Sequence, residues 1–392
     1  MLDQTYIELQ SLTQTQGAAA ALERLIAALR EERRHHQLFD ALLLKRKFEL
    51  GLPLAKPTSF ADVPAELQDE FEKHYVACAR AVGELLLKDQ AISQAWMYFR
   101  TIREPQAIAA AIEALPANSP VDEDILDIAF FQGVCPVKGI ELLLASHGTC
   151  STITALDQHF MQLTPEIRRR CAALMVRELY NTLRETVQQE VLKRHPLTPP
   201  GQSLRDLIAG RDWLFAEGNY HIDVSHLNAV VRFARALDAE CPELNLGLQL
   251  AQYGSRLAAQ YQYAGTVPFE DFYPAHIEFF KVLSGDNREQ ALAYFRDKLQ
   301  GDPGEPEPQY TALIVVELLQ RLGRAGEAAD LACAWLADAP DEFGLSLADL
   351  CAQTGRLEQW ARVAREKDDV IGFMAAILSN CQSTGQPPER SA

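Results

Sequence analysis

Two histidines and an aspartate lie close together in the segment GNYHIDVSHLN, at His221, Asp223 and His226. Neutral imidazoles and a carboxylate are ligands that zinc and ferrous iron take in proteins. Residues two and five apart do not share a face of a regular helix, so these side chains converge only where a loop enters a helix. The alternative is structural, with Asp223 capping the following helix and His226 on its surface.

A further ligand for this zinc or iron site is His276, which follows the aromatic segment FEDFYP. If the helix from about residue 272 is equivalent to the one from 227 in a series of repeated helix pairs, the two lie about 10 Å apart. His226 and His276 then approach each other, and Arg232 and Tyr273 lie nearby as candidate ligand contacts. The alternative is that His276 is a polar residue of a groove that holds no metal.

A second cluster of reactive side chains lies in LLLASHGTCSTITALDQH, which contains His147 and Cys150. A thiol beside an imidazole can form a nucleophilic thiolate, and His147 can instead supply a metal ligand from the other half of the chain. Both residues are candidates for a ligand-binding groove. The alternative is a helix junction, in which Gly148 ends one helix and Thr149 or Ser151 caps the next.

Helix start and stop signals recur along the chain. Thr164, Pro165 and Glu166 combine a capping residue, a first-turn proline and an acid at the positive end of the helix dipole. The helix that they open is predicted to end at His195, before Pro196. No alternating β-branched run is bounded by hairpin turns, so the sequence predicts an all-α chain without a sheet.

The loop HPLTPPGQ divides the chain, because three prolines and a glycine within eight residues do not form a helix. This predicts an N-terminal helical region over 1–195 and a C-terminal helical-repeat region over 203–380. Residues 381–392 are polar and rich in Pro and Gly, and they are predicted to be a disordered tail.

An internal repeat is visible in the C-terminal region. Gly323 separates two predicted helices, the small residue Ala328 follows five positions later, and Pro340 comes 17 positions after the glycine. The preceding segment repeats the plan with Gly285 and Ala291. A small residue at this point lets the two helices of a pair approach closely.

The following segment has Gly355 but carries Trp360 where the small residue is expected, which is typical of a terminal capping unit. The three turn glycines are 38 and 32 residues apart. Over about 270–366 this pattern resembles the tetratricopeptide repeat, whose period is about 34 residues. The resemblance implies a superhelical α-solenoid of antiparallel helix pairs with a concave groove, and it does not extend to the N-terminal half.

Composition excludes several classes of function. The 392 residues include 37 Lys and Arg against 54 Asp and Glu, a formal net charge of −17, which argues against nucleic-acid binding. The N-terminal segment lacks a cationic start followed by an apolar run, and no apolar stretch reaches the ~20 residues of a membrane span. We therefore expect a cytoplasmic protein that does not enter a membrane.

Two functions remain open on the sequence alone. The first is an interaction or ligand-binding protein that holds a protein segment or a small ligand in its concave groove. The acidic composition predicts that such a segment is basic or neutral. The second is a metal-dependent enzyme or metal-binding protein that uses His221, Asp223 and His226, completed by His276 or His147.

Overall fold

The computed structural model describes residues 2–117, 121–303, 305–337 and 346–383. These residues contain no β-strand, although Ala264 and Asp271 form an isolated antiparallel bridge. The prediction of an all-α chain is confirmed. Among the helices of these ranges, none combines the length and the apolar character that crossing a membrane requires.

One compact unit comprises Met1–Thr152. Each helix from α1 to α6 contacts the next, and α4 also contacts α6. Leu38, Leu43, Phe71 and Ile108 are fully buried between these helices. The helices are α1 (Leu2–Thr15), α2 (Ala18–Glu31), α3 (His35–Glu49), α4 (Ala65–Lys88), α5 (Ile92–Thr101), α6 (Gln106–Glu113), α7 (Glu123–Leu126), a π-helical turn (Asp127–Phe131) and α8 (Pro136–His159), within which the unit ends.

The second compact unit comprises Ile153–Ala392. Its helices are α9 (Pro165–Arg194), α10 (Leu204–Ile208), α11 (Val224–Phe233), α12 (Glu243–Gly254), α13 (Phe272–Ser284), α14 (Arg288–Arg296), α15 (Pro306–Arg321), α16 (Ala325–Trp335), α17 (Leu347–Gln353), α18 (Leu357–Glu366) and α19 (Val370–Ser383). Short 3₁₀ turns lie at Phe160–Gln162, Asp212–Gly218, Ala234–Ala236 and Ala259–Tyr261.

The long helix α9 forms the centre of the second unit. Thr164 caps it by accepting a hydrogen bond from the backbone N–H of Ile167, and Pro165 is its first residue, as predicted. It ends at Arg194, one residue before the predicted end at His195. It contacts α10, α11, α12 and the 3₁₀ turn that follows α11. Its buried residues recur every three or four positions, namely Cys171, Ala172, Met175, Val176, Leu179, Tyr180, Leu183, Val187 and Val191. This spacing places one continuous apolar stripe against the neighbouring helices.

The boundary between the two compact units and the predicted boundary at the HPLTPPGQ loop lie at different places in the chain. Residues 195–203 do connect α9 to α10, but α9 belongs to the second unit because its apolar stripe is covered by α10, α11 and α12. The division lies after Thr152 instead. At the other end, α19 extends to Ser383, so the predicted tail begins as helix, and residues 384–392 lie outside the described ranges.

Tight turns join successive helices, and the predicted turn glycines adopt them. Gly323 and Gly355 have φ values of 70° and 71°. In each case the next N–H bonds back to a carbonyl five residues earlier, from Arg324 to Leu319 and from Arg356 to Cys351, which satisfies the end of the preceding helix. The same turn is made without glycine at Arg33, Gln90, Arg103 and Asp368.

The small residues predicted in the second helix of each pair are buried. Ala291 and Ala328 are fully buried in the second helix of their pairs, α14 and α16. Trp360 lies in α18 and is partly exposed. Pro340, the predicted terminal proline of the repeat, lies outside the described residues.

A tightly packed contact joins the end of α12 to α13. A methyl group added at Gly254 would overlap the ring of the fully buried Tyr273. We expect Gly254→Ala to lower the free energy of unfolding by about 1–3 kcal/mol, because overpacking displaces a large core side chain. Urea denaturation measures this change. The neighbouring exposed residue provides the control, and Ser255→Ala should stay within about 0.5 kcal/mol of the wild type. Equal stability of the two variants would contradict the close packing.

Candidate functional site

The carboxylate of Asp223 caps α11. Its Oδ1 accepts hydrogen bonds from the backbone N–H of Ser225 at 2.8 Å and of His226 at 3.3 Å, and from the Ser225 hydroxyl at 2.5 Å. The Ser225 hydroxyl and these backbone N–H groups lower the pKa of Asp223, against the opposing effect of burial. The structural alternative for this residue is therefore confirmed.

His221 is held by a buried tyrosine. The Tyr253 hydroxyl accepts from the backbone N–H of His221 at 2.9 Å and donates to its Nδ1 at 2.9 Å. Burial lowers the pKa of His221 and raises that of Tyr253. The imidazole thus anchors the loop before α11 to α12, and its Nε2 is buried without a hydrogen-bond partner.

His276 lies inside an aromatic cluster on α13. Its Nδ1 donates to the backbone carbonyl of Phe272 at 2.6 Å, and the ring centroids of Phe269 and Phe272 lie 4.5 and 4.3 Å away. Burial lowers its pKa to about 3, and Arg235 contributes to that shift. His276 is therefore a neutral core residue and not a polar group of an open groove.

The predicted metal-ligand set does not assemble. No group of three or more His, Cys, Asp or Glu side chains that could hold a metal ion occurs among the residues in the described ranges. His221, Asp223, His226 and His276 therefore do not form one ligand set. His221 is bound to Tyr253, Asp223 caps α11, and His276 is enclosed in the aromatic cluster.

His147 and Cys150 lie at a helix junction in the first unit. Gly148 interrupts α8 with a left-handed φ of 75°, and its carbonyl accepts from the Thr152 hydroxyl at 2.8 Å. His147 is exposed, with its Nδ1 at 2.8 Å from the Ser146 hydroxyl, and Cys150 is exposed as well. This is the geometry of the structural alternative, a break between two helical segments.

The outer face of α11 lines a cavity of about 390 Å³, which we call the amide pocket. Of the predicted ligand contacts, Arg232 lines it, whereas Tyr273 lies behind it and donates its hydroxyl to Asn228. That bond occupies the Asn228 carbonyl oxygen and leaves its N–H groups for the pocket. The lining residues are Val224, Ser225, Asn228, Ala229, Arg232, Gln260, Tyr261, Gln262, Tyr263 and Phe272.

At the other end of α11 a cavity of about 920 Å³ contains five arginines, and we call it the arginine cavity. Three carboxylates, Asp157, Asp238 and Glu317, also line it, so its positive side chains exceed its negative ones by two. Its arginines are Arg168, Arg169, Arg232, Arg235 and Arg321, and its apolar wall includes Phe160, Met161, Phe233, Leu313 and Val316.

Three of these arginines are paired with the carboxylates. Arg169 bonds to Asp238, Arg232 lies 2.8 Å from Asp157, and Arg321 lies 2.6 Å from Glu317. Arg321 also donates to the backbone carbonyl of Arg235 at 2.7 Å. These three pairs use all three lining carboxylates. The pairs of Arg169 with Asp238 and of Arg232 with Asp157 join different segments of the chain, whereas Arg321 and Glu317 both lie in α15.

The other two arginines form no ion pair with any residue that the structure describes. Arg168 makes only a long contact of 3.7 Å to the sulfur of Met161. The guanidinium of Arg235 lies over the rings of Phe269 and Phe279, at 4.4 and 5.6 Å from their centroids, and its Nε is buried without an acceptor. Burial lowers the pKa of Arg235, Glu317 opposes this shift, and Arg321 and Arg232 add to it.

Sequence reasoning named Arg232 but missed the cavity around it. Its arginines come from α9, from α11 with the 3₁₀ turn that follows it, and from α15, three segments whose proximity no local pattern indicates. The spacing of Arg232 and Arg235 was a partial signal, because residues three apart lie on one side of a helix.

Comparison with known proteins identifies no relatives: no protein-family model, no curated protein and no solved structure matches this chain.

Replacing Asp223 separates capping from metal binding. We expect Asp223→Ala to lower the free energy of unfolding by about 1 kcal/mol, and Asp223→Ser to restore most of it, because serine is an equally good N-cap. Urea denaturation gives both values. Added zinc should leave the Tm of the wild type and of Asp223→Ser unchanged. A zinc-induced rise in Tm that is present only in the wild type would instead favour the metal site.

The buried imidazole of His276 makes stability depend on pH. Its pKa is about 3 in the folded protein, against an ordinary value of 6.5, so between these values only the unfolded chain takes up the proton. This residue's contribution to stability is complete above pH 6.5 and falls by ~1.4 kcal/mol per pH unit below it. Between pH 7 and pH 5, the free energy of unfolding should fall by about 2 kcal/mol less in His276→Phe than in the wild type, as measured by urea denaturation at the two pH values. Equal losses would contradict the assigned burial.

Proposed function

We propose that this chain is a helical-repeat binding protein that holds an extended acidic segment of a partner protein along α11. The observation that carries the proposal is that the amide pocket and the arginine cavity both border α11 and share Arg232. Together they form what we call the α11 groove. The alternative occupant of this groove is a small acidic ligand.

A solenoid arrangement of the helix pairs is part of this proposal. Its support is that α13 contacts both α14 and α15, α16 contacts both α17 and α18, and α17 contacts both α18 and α19. Contacts to the next helix and to the one after it are those expected when helix pairs stack in sequence. The tight turns at Gly323 and Gly355 add local support.

The lining of the amide pocket is suited to a peptide. The side-chain amides of Asn228 and Gln260 offer groups that match those of a peptide main chain. Gln262 offers only its oxygen, because its N–H groups donate to the carbonyls of Gly254 and Leu257. Tyr263 is 49% exposed and rests edge-on against Phe272 at a centroid distance of 5.1 Å. Exposed, supported tyrosines commonly contribute much of the free energy of protein binding.

The arginine cavity changes the expected charge of the partner. The chain as a whole carries −17, from which a basic or neutral segment was expected. Within the cavity the excess is positive, and local potential in a lined cleft, rather than net charge, attracts a ligand. The proposed segment is therefore acidic, with apolar side chains for the cavity wall.

Fluorescence polarisation with three labelled dodecapeptide pools tests this function: acidic and apolar, basic and apolar, and uncharged. We expect the acidic pool to bind most tightly, and Tyr263→Ala to weaken it about tenfold because a central aromatic contact is lost. The matched control is Tyr6→Ala, which removes an exposed tyrosine of the first unit. Preference for the basic pool, or equal losses in the two variants, would refute the proposal.

A further inference from the structure

The arginine cavity contains guanidinium groups that lack a carboxylate partner in the described part of the chain, which is a feature of an anion-binding site. Two of its five guanidinium groups, those of Arg168 and Arg235, have no carboxylate partner among the described residues. The lining arginines exceed the lining carboxylates by two, and Arg169 also bonds to Glu166, which is not among the lining residues. A dianion supplies one negative charge for each of the two unpaired guanidinium groups, whereas a singly charged group leaves one of them without a counterion.

The position of Arg235 is the second observation. Its Nε is buried and has no hydrogen-bond acceptor, although a buried donor of this kind is normally satisfied. Its guanidinium lies against Phe269, and Arg321 holds the backbone carbonyl of Arg235 itself. The aromatic contacts stabilise the cation but supply no hydrogen-bond acceptor, and a bound oxyanion would supply one.

The wall of the cavity defines the rest of the ligand. Phe160 stacks on Phe233 at a centroid distance of 4.9 Å, and Met161, Leu313 and Val316 continue the apolar surface. A cavity of about 920 Å³ is within the size range of sites for small organic ligands. An oxyanion attached to an aromatic or aliphatic body fits this combination.

We propose that the arginine cavity binds a phosphate monoester, with its oxygens between Arg168 and Arg235 and its organic body on the apolar wall. The planar guanidinium fork suits bidentate bonds to phosphate oxygens. A phosphate monoester carries about −1.5 to −2 charges near neutral pH, which matches the two guanidinium groups that lack a carboxylate partner among the described residues. This proposal deepens the proposed function. It rests on that function only where the phosphate is taken to belong to the bound segment of the partner protein.

Isothermal titration calorimetry of the full chain with phenyl phosphate tests the site without any peptide. We expect phenyl phosphate to bind, benzoate to bind at least tenfold more weakly because it has one charge, and inorganic phosphate to fall between them. Arg235→Met and Arg168→Met should each weaken phenyl phosphate at least tenfold. The control Arg170→Met, which removes an exposed arginine of α9 outside the cavity, should leave the affinity unchanged.

Several outcomes would overturn this proposal. If benzoate binds as tightly as phenyl phosphate, the site does not require a dianion. If Arg170→Met weakens phenyl phosphate as much as Arg168→Met does, the binding reflects general charge attraction and not this site. If Arg235→Met does not fold, Arg168→Met decides the result, since Arg168 is partly exposed and makes only the Met161 contact.

Peptides separate this proposal from the function proposed above. An acidic peptide that carries phosphotyrosine should bind at least tenfold more tightly than the same peptide without phosphate, and Arg235→Met should abolish the difference. Binding of phenyl phosphate without binding of any peptide would support the anion site and reject the segment. Peptide binding that is indifferent to phosphate and to Arg235→Met would support the segment and reject the anion site.

Discussion

The apolar stripe of α9 is the constraint on which the second unit depends. It runs along most of a 30-residue helix, from Cys171 to Val191, and each large side chain that it buries contributes about 1.5–3 kcal/mol relative to exposure. Covering it requires α10, α11, α12 and the turn after α11 at the same time. With its inner face, which includes Leu227 and Val230, committed to that role, α11 presents Ser225, Asn228 and Arg232 outward. The polar lining of the groove thus follows from the way α11 packs its apolar face on α9.

The charges around this groove are arranged differently from those of the remaining surface. Elsewhere on the surface arginines form ion pairs, as Arg324 does with Glu289 and Glu327, and such exposed pairs add little stability. Arg235 instead is partly buried, with its Nε enclosed, and forms no ion pair with a described residue, an arrangement that opposes the stability of the fold. Residues that oppose stability in this way are concentrated at binding sites, where the ligand restores the balance.

Local signals in the sequence predicted local structure well. The caps at Thr164 and Asp223 and the turn at Gly323 were recognisable because the residues that form them are neighbours in the chain. Turns at Arg33 and Gln90 were not, because their left-handed backbone is imposed by the packing of the flanking helices on residues without that preference.

The sequence did not predict which residues from distant parts of the chain lie close together in the fold. The predicted approach of His226 to His276 assumed a repeat register that would expose both, whereas the neighbouring rings of Phe269 and Phe272 enclose His276. The arginine cavity likewise depends on three helical segments, among them the one that carries Arg321, which lies 86 residues from its partner Arg235. A spacing pattern identifies neither a side chain's burial nor its distant partner.

Arg232 borders both halves of the α11 groove and has a single guanidinium, which now bonds to Asp157. An occupant of one half that draws this group toward itself withdraws it from the other half. Occupancy of the two halves is then thermodynamically linked, and the linkage is reciprocal: each occupant alters the affinity of the other by the same factor. A single side chain is sufficient to make two adjoining cavities one cooperative unit, with the sign of the cooperativity set by whether the occupants share the arginine or compete for it.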